Sequence, residues 1–306
     1  MFLEIDKLSK IYSKNSILNN ISFKIKKGDI VSIVGPSGSG KTTLLKCISG
    51  LCDVDTGSIN LNSKQLERLE PNQRNIAYVF QESPLFPHLT VNQNIIFNLK
   101  LFDREKLNFI IEKINIGHIK NRYPHEISGG ENQRVSVARS LIRNPDLLLM
   151  DEPFSNLDLY IKDKLKELVF ELISELKTTT IIVNHDIQDS LEISDRILIL
   201  IDGKINNYDV PHKIYSNPKC LESASLFGML NRINTNKDSF YCRPEDIKLT
   251  SSGLTARVIN SSFMGPFYKI TAHLNDEKII FYSNKDLLLD ENIFLEIDPK
   301  KKIYFD

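Results

Sequence analysis

The chain has 306 residues, 41% of them hydrophobic and 25% charged, which is enough apolar material for one large core or two ordinary ones. Lys and Arg total 39 and so do Asp and Glu, a balance that argues against nucleic acid or an anionic membrane surface as the main partner. The longest apolar runs, such as LLLM and ILILI, are far shorter than the ~18 residues that cross a bilayer, and MFLEIDKLSK lacks the apolar centre of a signal peptide.

In chain order, 29–35 (DIVSIVG) reads as a buried strand, and 41–51 carries Leu44, Leu45, Ile48 and Leu51 at helical spacing. A mostly helical stretch, about 82–145, includes an amphipathic helix at 103–115. Residues 146–153 (DLLLMDEP) form an apolar strand ending in two acids. The segment 159–177 places Ile161, Leu165, Leu168, Val169, Leu172, Ile173 and Leu176 on one helical face. Strands follow at 178–186 and 195–204, and such alternation predicts an α/β fold with parallel strands and crossovers. After about residue 230 the texture changes to short alternating strands with a hairpin turn expected at Asn275-Asp276. This predicts a small all-β domain over 231–306. The locally basic DPKKKIYFD reads as a solvated turn. Cys47, Cys52, Cys220 and Cys242 lack zinc-ligand spacing and suit free thiols in a reducing cytosol.

Gly35-Pro36-Ser37-Gly38-Ser39-Gly40-Lys41-Thr42, followed by Thr43, satisfies G-x-x-x-x-G-K-[ST] between a strand and a helix. Glycines let backbone N–H groups close on phosphate oxygens, and the helix N-terminus points at the same anion. Lys41 adds a cation for the β- and γ-phosphates, and the Thr42 hydroxyl suits Mg²⁺. This is a P-loop expected to take ATP and Mg²⁺. DEP alone would read as a surface turn. At the end of an apolar strand downstream of a phosphate loop, one of Asp151 and Glu152 is expected to hold Mg²⁺ through water and the other to orient and deprotonate the attacking water. His185, closing TIIVNH, reads on its own as a surface or capping residue.

The stretch Ile127–Asp158, ISGGENQRVSVARSLIRNPDLLLMDEPFSNLD, resembles the ATP-binding cassette family. Ser128-Gly129-Gly130 matches its signature motif, opening a helix expected at 131–145. The resemblance covers about 3–230, so a cassette domain is expected over 1–230 with its helical subdomain at about 82–145. Tyr12 matches the aromatic that stacks on adenine, Gln81 the glutamine loop that senses metal, Asp158 the loop after the acids and His185 the switch histidine. The family works as a head-to-tail dimer. The resemblance therefore implies that Ser128, Gly129 and Gly130 of one copy meet the γ-phosphate held by Lys41 of a second. Glu152 would act as base, His185 would hold phosphate and water in line, and Gln81 would relay closure to the membrane partner. Two departures stand out: Glu131 where glutamine is usual, which puts a negative charge near a triphosphate, and Asn184 where threonine is common, from which little is expected.

ESPLFPHLTVNQNI after Gln81 and DGKINNYDVPHKIYSNP resemble the ATPase subunits of bacterial importers that use a soluble binding protein. YCRPEDIKLTSSG and RVINSSFMGPFYKI resemble the accessory OB-like barrel of importers for ferric iron, sulfate, polyamines and sugars. The implied partners are a second copy, integral membrane permease subunits and, indirectly, a solute-binding protein, with no nucleic acid. The implied place is the cytoplasmic face of the inner membrane. LFPHLTV leans toward ferric iron or another inorganic ion. Polyamine, sulfate or sugar import, an exporter subunit, a soluble cassette protein and a non-hydrolysing nucleotide-binding regulator are the alternatives.

Overall fold

The computed structural model describes every residue except Ser83, Asn156, Leu157, Asp158, His185, Asn236, Lys237, Asp276 and Asp306, and the side chains of Leu159 and Tyr160. Two compact units result, Met1–Pro211 and His212–Asp306.

The N-terminal residues, to which the helix–strand alternation assigns no element, form a hairpin of β1 (Leu3–Tyr12) and β2 (Asn15–Ile25). Its period-2 pattern is broken by register shifts, which hides it from a simple alternation count. Then come β3 (Ile30–Val34), α1 (Lys41–Ser49), β4 (Thr56–Leu61), β5 (Lys64–Gln65) and β6 (Ile76–Val79). The helical stretch holds α2 (Val91–Ile95), α3 (Arg104–Lys113) and α4 (Gly129–Leu141). It is followed by β7 (Leu147–Asp151), α5 (Leu159–Glu175), β8 (Thr179–Val183), α6 (Ile187–Ile193), β9 (Arg196–Ile201) and β10 (Lys204–Asp209). The expected strand at 195–204 stops at Ile201, because Asp202 and Gly203 turn the chain with φ of +46° and +69° into antiparallel β10.

One sheet orders its strands β10-β9-β3-β8-β7-β6, all parallel except edge β10. The other, antiparallel, runs β2-β1-β4-β5. The central parallel strands β3 and β8 are buried along their whole length because both faces are covered. Leu148, Met150 and Ile182 point into a core shared with α2–α5, while Leu147, Leu149, Ile181 and Val183 point into one shared with α1 and the antiparallel sheet. The expected α/β cassette with a helical insertion is what the first unit shows.

Helix α1 stops at Gly50, whose φ is +82°. Arg74, only 9% exposed, holds that end: Nη1 donates to the carbonyls of Cys47 and Ile48 at 3.0 and 2.9 Å, and Nε to Leu69 O at 3.0 Å. A Cβ on residue 50 would lie 2.7 Å from the guanidinium. A cation at a helix C-terminus also complements the dipole.

The second unit begins with α7 (Pro211–Ser216), which starts at the division, and α8 (Leu221–Leu226). It continues with β11 (Asn231–Asn234), β12 (Ser239–Cys242), β13 (Ile247–Thr250), β14 (Leu254–Phe263), β15 (Tyr268–Leu274), β16 (Glu277–Ser283) and β17 (Asn292–Ile297). The β11–β12 ribbon accompanies an antiparallel sheet ordered β13-β17-β14-β15-β16, matching the all-β expectation. The Asn231 side chain extends the ladder of edge strand β16, donating to Ile280 O and accepting from Ile280 N, both at 2.7 Å. Buried Arg243 lies 3.8 Å from the Tyr215 ring centroid and donates to the Phe227, Tyr215 and Ala224 carbonyls, tying α7 and α8 to the β-region. Asn275, with φ of +54°, turns into β16, and its partner in the expected turn, Asp276, lies outside the described residues.

Candidate active site

The loop from Gly35 to Gly40 joins the carboxyl end of β3 to α1, where open parallel sheets bind ligands. Gly35 has no room for a side chain, since a Cβ would sit 2.0 Å from Leu200 O. Gly40 adopts φ of +100° and a Cβ there would meet Ile17 O and Leu18 Cδ2 at 2.9 Å. Gly38 has φ of +80° with nothing within 4 Å of its Cβ position, so the backbone stays bare toward the loop's mouth. Pro36 O accepts from Ser39 N at 3.2 Å, and Ser37 and Thr43 complete the turn and the first helical residues. The Ser39 hydroxyl is buried and has no hydrogen-bond partner among the described residues. A phosphate oxygen would satisfy such an orphaned donor.

Lys41 Nζ donates to the carbonyls of Gly35 and Pro36 at 2.9 and 2.8 Å. Burial pushes its pKa below the ordinary lysine value, against the pull of the Glu152 and Asp151 carboxylates. Thr42 Oγ1 donates to Asp151 Oδ1 at 3.0 Å, so the phosphate loop and the acidic strand end meet. Tyr78 on β6 donates its hydroxyl to Asp151 Oδ2 at 2.9 Å. Burial and that carboxylate push the Tyr78 hydroxyl far above its ordinary pKa, so it stays a donor. Thr42 and Asp151 make an all-oxygen donor set, the chemistry a hard divalent cation takes.

Glu152 follows with φ of +46°, a left-handed conformation that costs a non-glycine residue about 1–2 kcal/mol. Its N–H donates to Val183 O at 3.0 Å and its carbonyl accepts from Ser155 Oγ, also at 3.0 Å. Gln81 Nε2 donates to the same Ser155 hydroxyl at 3.2 Å, so the glutamine sits with the turn after the acids. Asp158 and His185 lie outside the described residues.

Ser128 caps α4 rather than preceding it by three residues, so the helix starts at Gly129. Its Oγ accepts from Glu131 N at 3.3 Å, while its own N–H and hydroxyl donate to Glu131 Oε2 at 2.8 and 2.9 Å. Burial opposes the charge on Glu131, but those bonds, His118 at 3.2 Å and Arg134 hold its carboxyl below the ordinary range. Gly129 and Gly130 occupy the first two helical positions. Among the described residues no hydrogen bond joins Ser128, Gly129 or Gly130 to the phosphate loop.

Tyr12, at the end of β1, is 45% exposed, with its hydroxyl 2.8 Å from Cys52 Sγ and Lys10 Nζ 5.2 Å from its ring centroid. Asn184, from which little was expected, is buried and donates to Ser32 Oγ and Ser190 Oγ at 3.2 and 3.0 Å, joining β3 to α6. Tyr78 and Asn184 have no motif. Their one signal is a hydrogen-bonding side chain inside an otherwise apolar strand or at its end, which demands a partner.

The ABC transporter family profile matches residues 18–155. The Fe(3+) ions import ATP-binding protein FbpC of Fusobacterium nucleatum is 35% identical, covering 90% of this chain and 85% of its own length. The chain belongs to the ABC transporter ATP-binding family. FbpC of Photorhabdus laumondii is 31% identical over 97% of this chain and 95% of itself. The sulfate/thiosulfate import ATP-binding protein CysA of Vibrio cholerae is 34% identical over 83% and 72%. A solved dimeric ATP-binding cassette in a post-hydrolysis state, bound to ADP and Pi, superposes with a TM-score of 0.60 at 29% identity, covering 69% of this chain and 99% of its own. The ABC family binds and hydrolyses ATP, and this chain is an importer ATPase subunit. Among the described residues no helix is long and apolar enough to cross a membrane.

Proposed function

We propose that two copies of the chain, head to tail, bind Mg-ATP between them and couple its hydrolysis to solute uptake through separate membrane permease subunits. The observation that carries this reading is the Thr42–Asp151 hydrogen bond at 3.0 Å, which joins the phosphate loop to the acidic strand end beside Lys41. Gly35 to Thr43 would cradle the phosphates, with Lys41 on the β- and γ-phosphates and Tyr12 against adenine. Thr42, Asp151 and Gln81 would hold Mg²⁺, which neutralises charge developing on the phosphoryl oxygens. Glu152 would take the proton from water, His185 would hold the water in line, and Asp158 would line the interface. Ser128, Gly129 and Gly130 would close the site of the other copy. In support, the similar solved cassette is dimeric.

The functional division proposed is a cassette over 1–230, with its helical subdomain at about 82–145, and an accessory OB-like barrel over 231–306. The solute favoured is ferric iron or another inorganic ion, supported by relatives named for ferric iron and for sulfate. A solute-binding protein would act indirectly, and the chain would sit peripherally on the cytoplasmic face of the inner membrane.

The test is purification of the chain from gently solubilised native membranes, with partners identified by mass spectrometry. A permease is expected, and reconstituted vesicles should then take up ferric iron in an ATP-dependent way. Active ATPase recovered without any membrane protein would overturn the coupling. Uptake of sulfate in place of iron would overturn iron and keep an inorganic ion, and uptake of a polyamine or a sugar would overturn both.

A further inference from the structure

Strand β6 reads Ile76-Ala77-Tyr78-Val79, and the Tyr78 hydroxyl is its one polar side-chain group. β6 runs parallel to β7 with Tyr78 opposite Leu149, two residues before Asp151. The side chain therefore reaches along the sheet toward its carboxyl end, where its hydroxyl meets Asp151 Oδ2 at 2.9 Å. Phe80 backs the ring, with centroids 4.4 Å apart. The other oxygen, Oδ1, accepts from Thr42 at 3.0 Å. Two donors on two different elements, β6 and α1, thus fix both oxygens of one carboxylate. Rotation of the Asp151 carboxyl group must break one of these bonds.

We infer that Tyr78 is a positioning residue for the cation site: its hydroxyl fixes the Asp151 carboxylate so that Oδ1 stays turned toward Thr42. Tyr78 touches neither nucleotide nor water in this role and acts only through Asp151. Phenylalanine would fill the same space and leave the carboxylate free to turn. The inference rests on the Mg-ATP reading of the site.

The experiment measures binding of a fluorescent ATP analogue to the full chain and to Tyr78→Phe, each with Mg²⁺ and with EDTA. Thermal midpoints are recorded alongside. For the wild type, affinity should be higher with Mg²⁺ than with EDTA. In Tyr78→Phe that gain should shrink by roughly fivefold, the factor carried by one net hydrogen bond, with affinity in EDTA unchanged. Tyr78→Met should do the same. An unchanged gain, or equal loss of affinity under both conditions, makes Tyr78 merely structural and overturns the inference. A wild type whose affinity does not respond to Mg²⁺ overturns the Mg-ATP reading itself, and the inference with it.

Discussion

Thr42 and Asp151, 109 positions apart, share a 3.0 Å hydrogen bond. One comes from the first turn of α1 and the other from the last residue of β7. Because β7 and β3 lie in one parallel sheet separated by β8, their carboxyl ends face the same crevice. That common edge brings the phosphate loop to the acids and makes the following outcomes expected.

Glu152→Gln keeps the side chain's shape and the strained backbone but removes its basicity. ATP binding should stay close to wild type, turnover should fall by at least about 100-fold, and ATP should accumulate a dimer seen by light scattering. Normal turnover would remove Glu152 from the chemistry.

Lys41→Ala removes the one mobile cation of the loop. Nucleotide affinity should drop about 10- to 100-fold, as for a lost charged hydrogen bond. Titration calorimetry checks this, and equal affinity would contradict the phosphate-loop assignment.

Glu131 bears on both stability and the dimer. Its folded pKa is depressed, so its contribution is fully present above the ordinary carboxylate value and is lost as pH falls through the depressed one. Glu131→Gln should flatten the acid limb of the stability curve while keeping the cap, whereas Glu131→Ala should cost about 1 kcal/mol. Removing a negative charge beside Ser128 should also tighten ATP-dependent dimerisation several-fold. Weaker dimerisation in the glutamine variant would show that the charge is not repelling the nucleotide.

Arg74→Met leaves the carbonyls at the end of α1 without their buried donors. Stability should fall by roughly 2 kcal/mol or more, read by denaturant unfolding, with Arg74→Lys recovering part of it. A loss under 0.5 kcal/mol, about what a surface substitution costs, would show that water replaces the guanidinium.

Much of the site is readable from the chain because its motifs are local. The phosphate loop runs over eight consecutive residues, Gly35 to Thr42, and the signature turn and the acids are equally short. The chemistry of the phosphate loop follows from residue type and spacing, whereas the roles of the signature turn and of Glu152 follow from the family resemblance. The parallel strands are legible too, because their mostly apolar runs, such as Leu147 to Met150, announce burial on both faces. The β1–β2 hairpin was not legible, because bulges interrupt its alternation.

The sequence by itself thus determined the fold class, the phosphate-binding loop, the acidic strand end and the family. Only the tertiary structure decided what surrounds them: Tyr78 and Thr42 on the two oxygens of Asp151, Arg74 beneath α1, Asn184 between β3 and α6, Glu131 folded back on Ser128. Most of these bonds span tens of residues, from 26 for Arg74–Ile48 to 152 for Asn184–Ser32. A hydrogen bond needs its partners within about 3 Å, and sequence separation carries no information about that distance until strands and helices have packed.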